Sequence, residues 1–281
     1  MEPPTSSGLQ RLIGTCLLVL KDEQSSSLSA EVCEGLLATD PSPLSSSPPP
    51  TTTDRGTHVL HGYPAYPLYI RLSACINHWL TTGRCPVLDL PAMHLLNEQE
   101  SLAERSTRLE AAGHIVRDST AHWRRWSEEE KQSALLKLLK SLGYRGVSDL
   151  IGVRRTVGSC DCLPPPIGVL MATFNSPHSP NAKLSVGARA LSKHCHRDTS
   201  HQWWGNCTGS EEAKNEHAVE RVTAVLREAV WINTHFLPHN VKVIEVRTKE
   251  GYGARWSHDG LEFRGFVEPQ MTDGHLLGWK H

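Results

Sequence analysis

Residues 231–267, WINTHFLPHNVKVIEVRTKEGYGARWSHDGLEFRGFV, decide the fold. Apolar and polar side chains alternate through 231–236, 241–247, 252–257 and 261–267, and the runs are separated by Pro238-His239-Asn240, Glu250-Gly251 and His258-Asp259-Gly260. A period of two is the signature of a strand with one buried face, and short breaks rich in Gly, Asn and Asp are hairpin turns. These runs predict an antiparallel meander. Upstream the apolar period becomes helical. Helices first and strands last predict an α+β fold, an N-terminal helical region followed by helices packed on a C-terminal antiparallel β meander, rather than a doubly wound sheet.

The helical signals are local and physical. Residues 65–81 carry an apolar pattern closed by Gly83, and a second stretch runs from about Glu98 to Arg117. Ser127 and Glu130 form a capping box ahead of Leu135, Leu136, Leu138, Leu139 and Leu142, with Gly143 as the expected end. Gly158 to Pro166 breaks regular structure, and Ile167 to Phe174 reads as a short apolar element. Leu184, Gly187, Ala188 and Leu191 fall at i, i+3, i+4 and i+7, so a helix with small residues runs toward His194. Another follows Gly209-Ser210, with Glu211 and Glu212 at its positive end and Val219, Val222, Val225, Leu226, Ala229 and Val230 on its buried side.

Composition divides the chain. Residues 39–56, TDPSPLSSSPPPTTTDRG, have no apolar periodicity, so residues 1–55 are expected to form a disordered Pro/Ser/Thr-rich arm. A helical region over 56–157 and an α+β domain over 158–281 complete the expected organisation. The net charge is −1, and residues 1–55 hold −4 of charge, which leaves +3 for the remainder. That mild basicity suits a phosphate-bearing partner but falls short of the strongly basic balance of a dedicated nucleic-acid binder. The eight cysteines have no framework spacing, and reduced thiols are expected. The apolar run Leu12 to Leu20 is too short to span a bilayer and reads as a short amphipathic or partner-docking helix, with a signal peptide disfavoured. No membrane partner is expected, and the cytosol or nucleus is the expected location.

Three constellations could carry chemistry. His194, Cys195, His196, His201 and Cys207 offer zinc-compatible side chains, but no C-x-x-C or H-E-x-x-H spacing is present, so no metal and no cofactor are expected. Arg189, Lys193 and His196 share a helix face, Arg197 follows, and Trp203-Trp204 come next. Bases interleaved with aromatics suit phosphate contacts and base stacking, so these six residues are the expected binding surface for RNA or another phosphate-bearing ligand. The plain alternative is a solvated helix face with two packing tryptophans. In the hairpin, period two places Tyr252, Ala254 and Trp256 opposite Gly253, Arg255 and Ser257, and sets Leu261, Phe263 and Val267 against Glu262, Arg264 and Glu268. Phe266 breaks that pattern.

The leading expectation is an intracellular protein that binds RNA or a phosphate ligand through the basic and aromatic surface. An enzyme is the second reading, with Arg255, Arg264, Glu268, Asp273 and His275 in a pocket between the basic helix and the hairpin. A scaffold that uses Ser42-Pro43 and Ser47-Pro48 on the arm is the third. No G-x-S-x-G, Walker loop or G-x-G-x-x-G is present.

Two stretches carry resemblances. Gly62-Tyr-Pro-Ala-Tyr-Pro-Leu-Tyr-Ile-Arg-Leu72, with Thr82-Gly83 and Glu98 to Leu102, resembles the helical N-terminal region of plant proteins described as RNA-binding ASCH-domain proteins, over residues 62–115. No ASCH domain follows, so the RNA role that goes with that domain does not come with it. The stretch from Leu184-Ser-Val-Gly-Ala-Arg-Ala190 through Trp231-Ile-Asn233 to Gly251-Tyr-Gly-Ala-Arg-Trp-Ser257 and Gly278-Trp-Lys-His281 is similar to the corresponding block of a family of uncharacterised eukaryotic proteins. That resemblance implies a shared fold and no particular activity.

Overall fold

The computed structural model describes residues 5–23, 27–41, 58–91, 93, 96, 98–195 and 203–270. The helices are α1 (Ser6–Asp22), α2 (Ala30–Leu37), α3 (Leu68–Thr82), α4 (Gln99–His122), α5 (Glu128–Leu150), α6 (Ile167–Asn175), α7 (Val186–His194) and α8 (Glu211–Arg227). The strands β1 (Ala229–Leu237), β2 (Val241–Thr248), β3 (Gly253–Ser257) and β4 (Phe263–Val267) pair antiparallel in the order β1-β2-β3-β4. The fold is α+β, with the meander at its C-terminal end.

Buried apolar side chains form two clusters. One is helical and gathers α1 to α5; the other lies between α6, α7, α8 and one face of the sheet. The expected disorder of residues 1–55 is corrected here. Leu9, Leu12, Ile13, Cys16, Leu17 and Leu20 form a helical stripe on α1 that is buried against α2, α3 and α5, and Cys33 and Leu36 of α2 join the same core. The composition that argues for disorder begins only at residue 39, whereas 6–37 hold enough leucine to offset their ordering entropy. Asp40 then accepts a hydrogen bond from the Gly168 amide at 2.9 Å, which ties this segment to α6. Ser42 and Ser47 lie outside the described residues.

The capping box of α5 forms in both directions, with Glu130 donating its amide to Ser127 Oγ at 3.2 Å and Ser127 donating its amide to Glu130 Oε2 at 2.6 Å. Gly143 does interrupt the helix, at φ 58° and ψ −170°, but the chain resumes helical geometry to Leu150. Val147, Leu150 and Ile151 supply the reason, since all three are buried in the helical core and hold the chain in place beyond the break.

Two glycines shape the sheet domain. Gly187 of α7 lies flat against α6, where an added Cβ would sit 2.2 Å from the Phe174 ring. Gly265, at φ 122°, forms a β-bulge: Arg255 pairs with Gly265 and Trp256 with Phe263, which leaves Arg264 unmatched. The bulge explains the break at Phe266. It returns Phe266 to the helix side with Phe263, where both rings meet Phe174 edge-on, and Glu268 beyond it also turns to the helix side. The strict alternation expected through Glu268 therefore fails after Phe263.

The free edge of β1 is covered. Residues 153–160 run along it, with Arg154 donating its amide to Ile232 at 2.6 Å, Cys160 to Thr234 at 2.8 Å, and the Phe236 amide returning to Gly158 at 3.3 Å. A row of unpaired strand groups is thereby satisfied within the chain.

Candidate active site on the polar face of the sheet

Alternation in the strands sends Ile232, Ile244, Val246, Ala254 and Trp256 into the apolar cluster under the helices. Their neighbours turn the other way. Trp231, Asn233, His235, Glu245, Arg247 and Arg255 thus share the opposite face, as the cross-strand pairs Asn233–Glu245 and Glu245–Arg255 require. This face is also withdrawn from water: Glu245 is 1% exposed, Asn233 1% and Arg247 3%. Buried ionised groups must be paired or they unfold the protein.

Glu245 is paired on every side. His235 Nε2 lies 3.2 Å from Glu245 Oε2, Arg255 Nε donates to the same oxygen, and Arg247 Nε donates to Oε1. Arg247 is fixed in turn, with Nη1 donating to the carbonyls of Gly251 and, at 2.8 Å, Glu268. Burial alone would raise the Glu245 pKa, but the hydrogen bond from His235 and the charges of Arg247 and Arg255 outweigh it and hold the carboxyl well below the usual carboxylate range. It is an anion at any physiological pH. Such a group accepts no proton in a catalytic step; it orients the imidazole and guanidinium that donate to it.

A second buried knot holds the floor. Glu98, ahead of α4, accepts from Arg154 Nη2 at 2.7 Å and from Trp231 Nε1 at 2.9 Å. Trp231, His235, Glu245, Arg255, Thr156 and Gln270 then line a cavity of about 160 Å³. His235 and Arg255 are the partly open members, with side chains 17% and 26% exposed. With Nε2–H donated to Glu245, Nδ1 of His235 carries the lone pair and can take a proton. The cavity is smaller than the roughly 300–1,000 Å³ of ordinary small-molecule sites, so it fits a group the size of a phosphate rather than a whole nucleotide.

The sequence candidates are dispersed. Arg255 lies in the cavity. Arg264 points outward and pairs with Glu262 at 3.0 Å, because the bulge at Arg264-Gly265 carries it off the ladder. Glu268 is bonded to His194 Nδ1 at the end of α7, on the opposite side of the sheet. Asp273, His275, His196 and Arg197 lie outside the described residues. Arg189 and Lys193 are exposed on α7, again on the helix side. Trp204 is fully buried, and Trp203 stacks on Tyr252 with ring centroids 4.7 Å apart. The expected open surface of bases and aromatics is corrected accordingly: its tryptophans are packed, because the apolar cluster beneath α7 and α8 takes them up. Among the described residues no group of three or more His, Cys, Asp or Glu is placed to hold a metal ion, and no helix is long and apolar enough to cross a membrane.

His235, Glu245, Arg247 and Thr156 escaped the sequence reading. A signal existed for three of them. The face analysis applied to the hairpin of β3 and β4, extended across β2 and β1, places Glu245, Arg247 and His235 beside Arg255. Thr156 had none, since its position follows from a tertiary contact between a loop and a strand edge.

Residues 174–268 match the profile of the CdiA C-terminal tRNase toxin domain. The matched segment begins in α6 and ends just past β4, so it contains every charged member of the cavity. One solved structure similar to the chain is the toxic C-terminal tip of CdiA from Pseudomonas aeruginosa in complex with an immune protein. It is 28% identical, with a TM-score of 0.30, and the likeness covers 34% of this chain and 98% of that one. No curated protein matches the chain. A tRNase is a nuclease, so the profile match overturns the expectation of a protein that only binds RNA or a phosphate ligand.

Proposed function

We propose that the chain is a ribonuclease of the tRNA-cleaving kind, with its catalytic centre in the cavity on the polar face of the sheet. The observation that carries this reading is the convergence of His235, Glu245 and Arg255 on one partly open cavity inside the segment that matches the tRNase toxin profile. The chemistry is transfer of a phosphodiester to the neighbouring 2′-hydroxyl. The 2′-oxygen forms a bond to phosphorus as the bond to the 5′-oxygen breaks, and the products are a 2′,3′-cyclic phosphate and a free 5′-hydroxyl.

Each role follows from a contact. His235 Nδ1 takes the proton of the attacking 2′-hydroxyl, a general-base contribution of about 10²–10⁴-fold in rate. Glu245 holds the imidazole in the tautomer with the proton on Nε2 and stabilises the imidazolium that forms. Arg255, anchored through Nε, has the rest of its guanidinium free to face the phosphate and the negative charge that develops on it. Arg247 touches no substrate and keeps Glu245 in place. Solvent at the mouth of the cavity protonates the departing 5′-oxygen.

The test is cleavage of tRNA by the purified full chain. Fragments ending in 2′,3′-cyclic phosphate are expected, and His235→Ala should lower the rate at least about 100-fold while the far-ultraviolet circular dichroism spectrum stays unchanged. Intact tRNA after incubation with the wild-type chain, or wild-type cleavage by His235→Ala, overturns the reading.

A further inference from the structure

One wall of the cavity comes from outside the segment that matches the tRNase toxin profile. Thr156 belongs to the loop on the edge of β1, eighteen residues before the match begins. The network around it fixes where each proton goes. Ser159 Oγ donates to Asn233 Oδ1 at 2.8 Å, which assigns the other end of that amide as the donor. Asn233 Nδ2 then donates to Thr156 Oγ1 at 3.0 Å, and the Thr156 amide donates to Ser159 Oγ at 2.7 Å. Thr156 Oγ1 therefore already accepts a bond. Its own proton has only long contacts, 3.3 Å to the Val157 carbonyl and 3.3 Å to Ser159 Oγ.

We infer that Thr156 is a phosphate-binding residue, its hydroxyl donating to a non-bridging oxygen of the anion held in the cavity opposite Arg255, with Asn233 and Ser159 as its positioning residues. The inference deepens the ribonuclease reading and rests on it for the cleavage step alone. A neutral donor beside a guanidinium suits a phosphodiester monoanion, which offers two non-bridging oxygens for two donors. Asn233, 1% exposed and bonded on both ends of its amide, keeps the hydroxyl from turning away. A loop outside the matched segment thereby completes the anion site that the strands begin.

Two measurements on the full chain separate this inference from the reading beneath it. In calorimetry with inorganic phosphate, Thr156→Val should weaken binding about tenfold, the worth of one hydrogen bond to a charged group, while Thr156→Ser should bind as wild type does. In tRNA cleavage, Thr156→Val should lower kcat about a hundredfold with little change in KM, as expected for a donor that acts on developing charge, and Thr156→Ser should restore it. Equal phosphate affinity in Thr156→Val and wild type overturns the inference even if tRNA is cleaved. A loss of phosphate binding that Thr156→Ser fails to restore also overturns it, since the lost contact would then be packing by the methyl group. Loss of phosphate binding in Thr156→Val, restored by Thr156→Ser, in a chain that leaves tRNA intact upholds the phosphate site and overturns the ribonuclease reading.

Discussion

The two faces of the sheet arise from the same alternation and are held by opposite physics. On the helix side, Ile244, Val246, Ala254, Trp256 and Phe266 pack against α6, α7 and α8, and stability there comes from apolar area removed from water. On the other side Glu245, Arg247 and Asn233 are just as buried, yet their burial costs free energy unless every charge finds a partner. The apolar face tolerates exchange of shape for shape. The polar face tolerates neither a missing partner nor a misplaced one, and this is the rigidity that a catalytic arrangement needs.

Four substitutions break or sharpen that contrast. The largest effect should come from Trp256→Ala on the apolar face, which removes a fully buried ring and its hydrogen bond to the Leu170 carbonyl. A loss of about 3–5 kcal/mol in urea unfolding is expected.

On the polar face, Glu245→Gln should cost about 3 kcal/mol at pH 7 by leaving Arg247 and Arg255 without their anion, and it should also change the response to acid. Because the folded pKa of Glu245 lies well below its ordinary 4.5, its stabilisation is complete above that value and is lost as the pH falls below it. Unfolding curves between pH 3 and pH 7 should show a steeper acid limb for wild type than for Glu245→Gln.

Asp149 offers the converse case. It is a buried carboxylate whose charged neighbour Arg108 stands 3.8 Å away, and burial pushes its pKa up to about 6. Its effect on stability is most favourable below its ordinary value of 3.8 and is lost as the pH rises through about 6. Asp149→Asn should therefore be more stable than wild type at pH 8, by about 2 kcal/mol, with the advantage gone by pH 4. Equal stability at both pH values would show that the closeness of the partners is not what separates these two carboxylates.

The smallest effect belongs to Arg264→Ala. Its ion pair with Glu262 is solvent-exposed, so unfolding should change by less than about 0.5 kcal/mol, and tRNA cleavage should match wild type.

Much of the fold was legible because its signals are local. The capping box at Ser127 and Glu130, the stop at Gly83, the small residues facing α6 from α7, and the turns between the strands each follow from residues close in sequence. The errors have local causes as well. Residues 6–37 inherited a disorder that belonged to the Pro/Ser/Thr run after them. The hairpin faces were read with an unbroken period, which the bulge at Gly265 interrupts.

The site was legible only in pieces. Arg255 was recognised as one of a pair with Arg264, yet the same bulge that keeps Arg255 in the ladder sends Arg264 into solvent. Trp203 and Trp204 read as stacking surfaces because sequence gives residue type without burial; the structure packs them beneath α7 and α8.

The sequence by itself determined which residues alternate, where helices begin and stop, and that strands follow helices, since these depend on backbone propensity and on neighbours within a turn or a pleat. Tertiary structure alone decided that His235, Glu245 and Arg255 meet, and that Thr156, some eighty residues before His235, stands beside them. That choice rests on register between strands and on a loop docked to a strand edge. Both are set by long-range hydrogen bonds and by the requirement that a buried charge be paired, conditions that no short window of sequence contains.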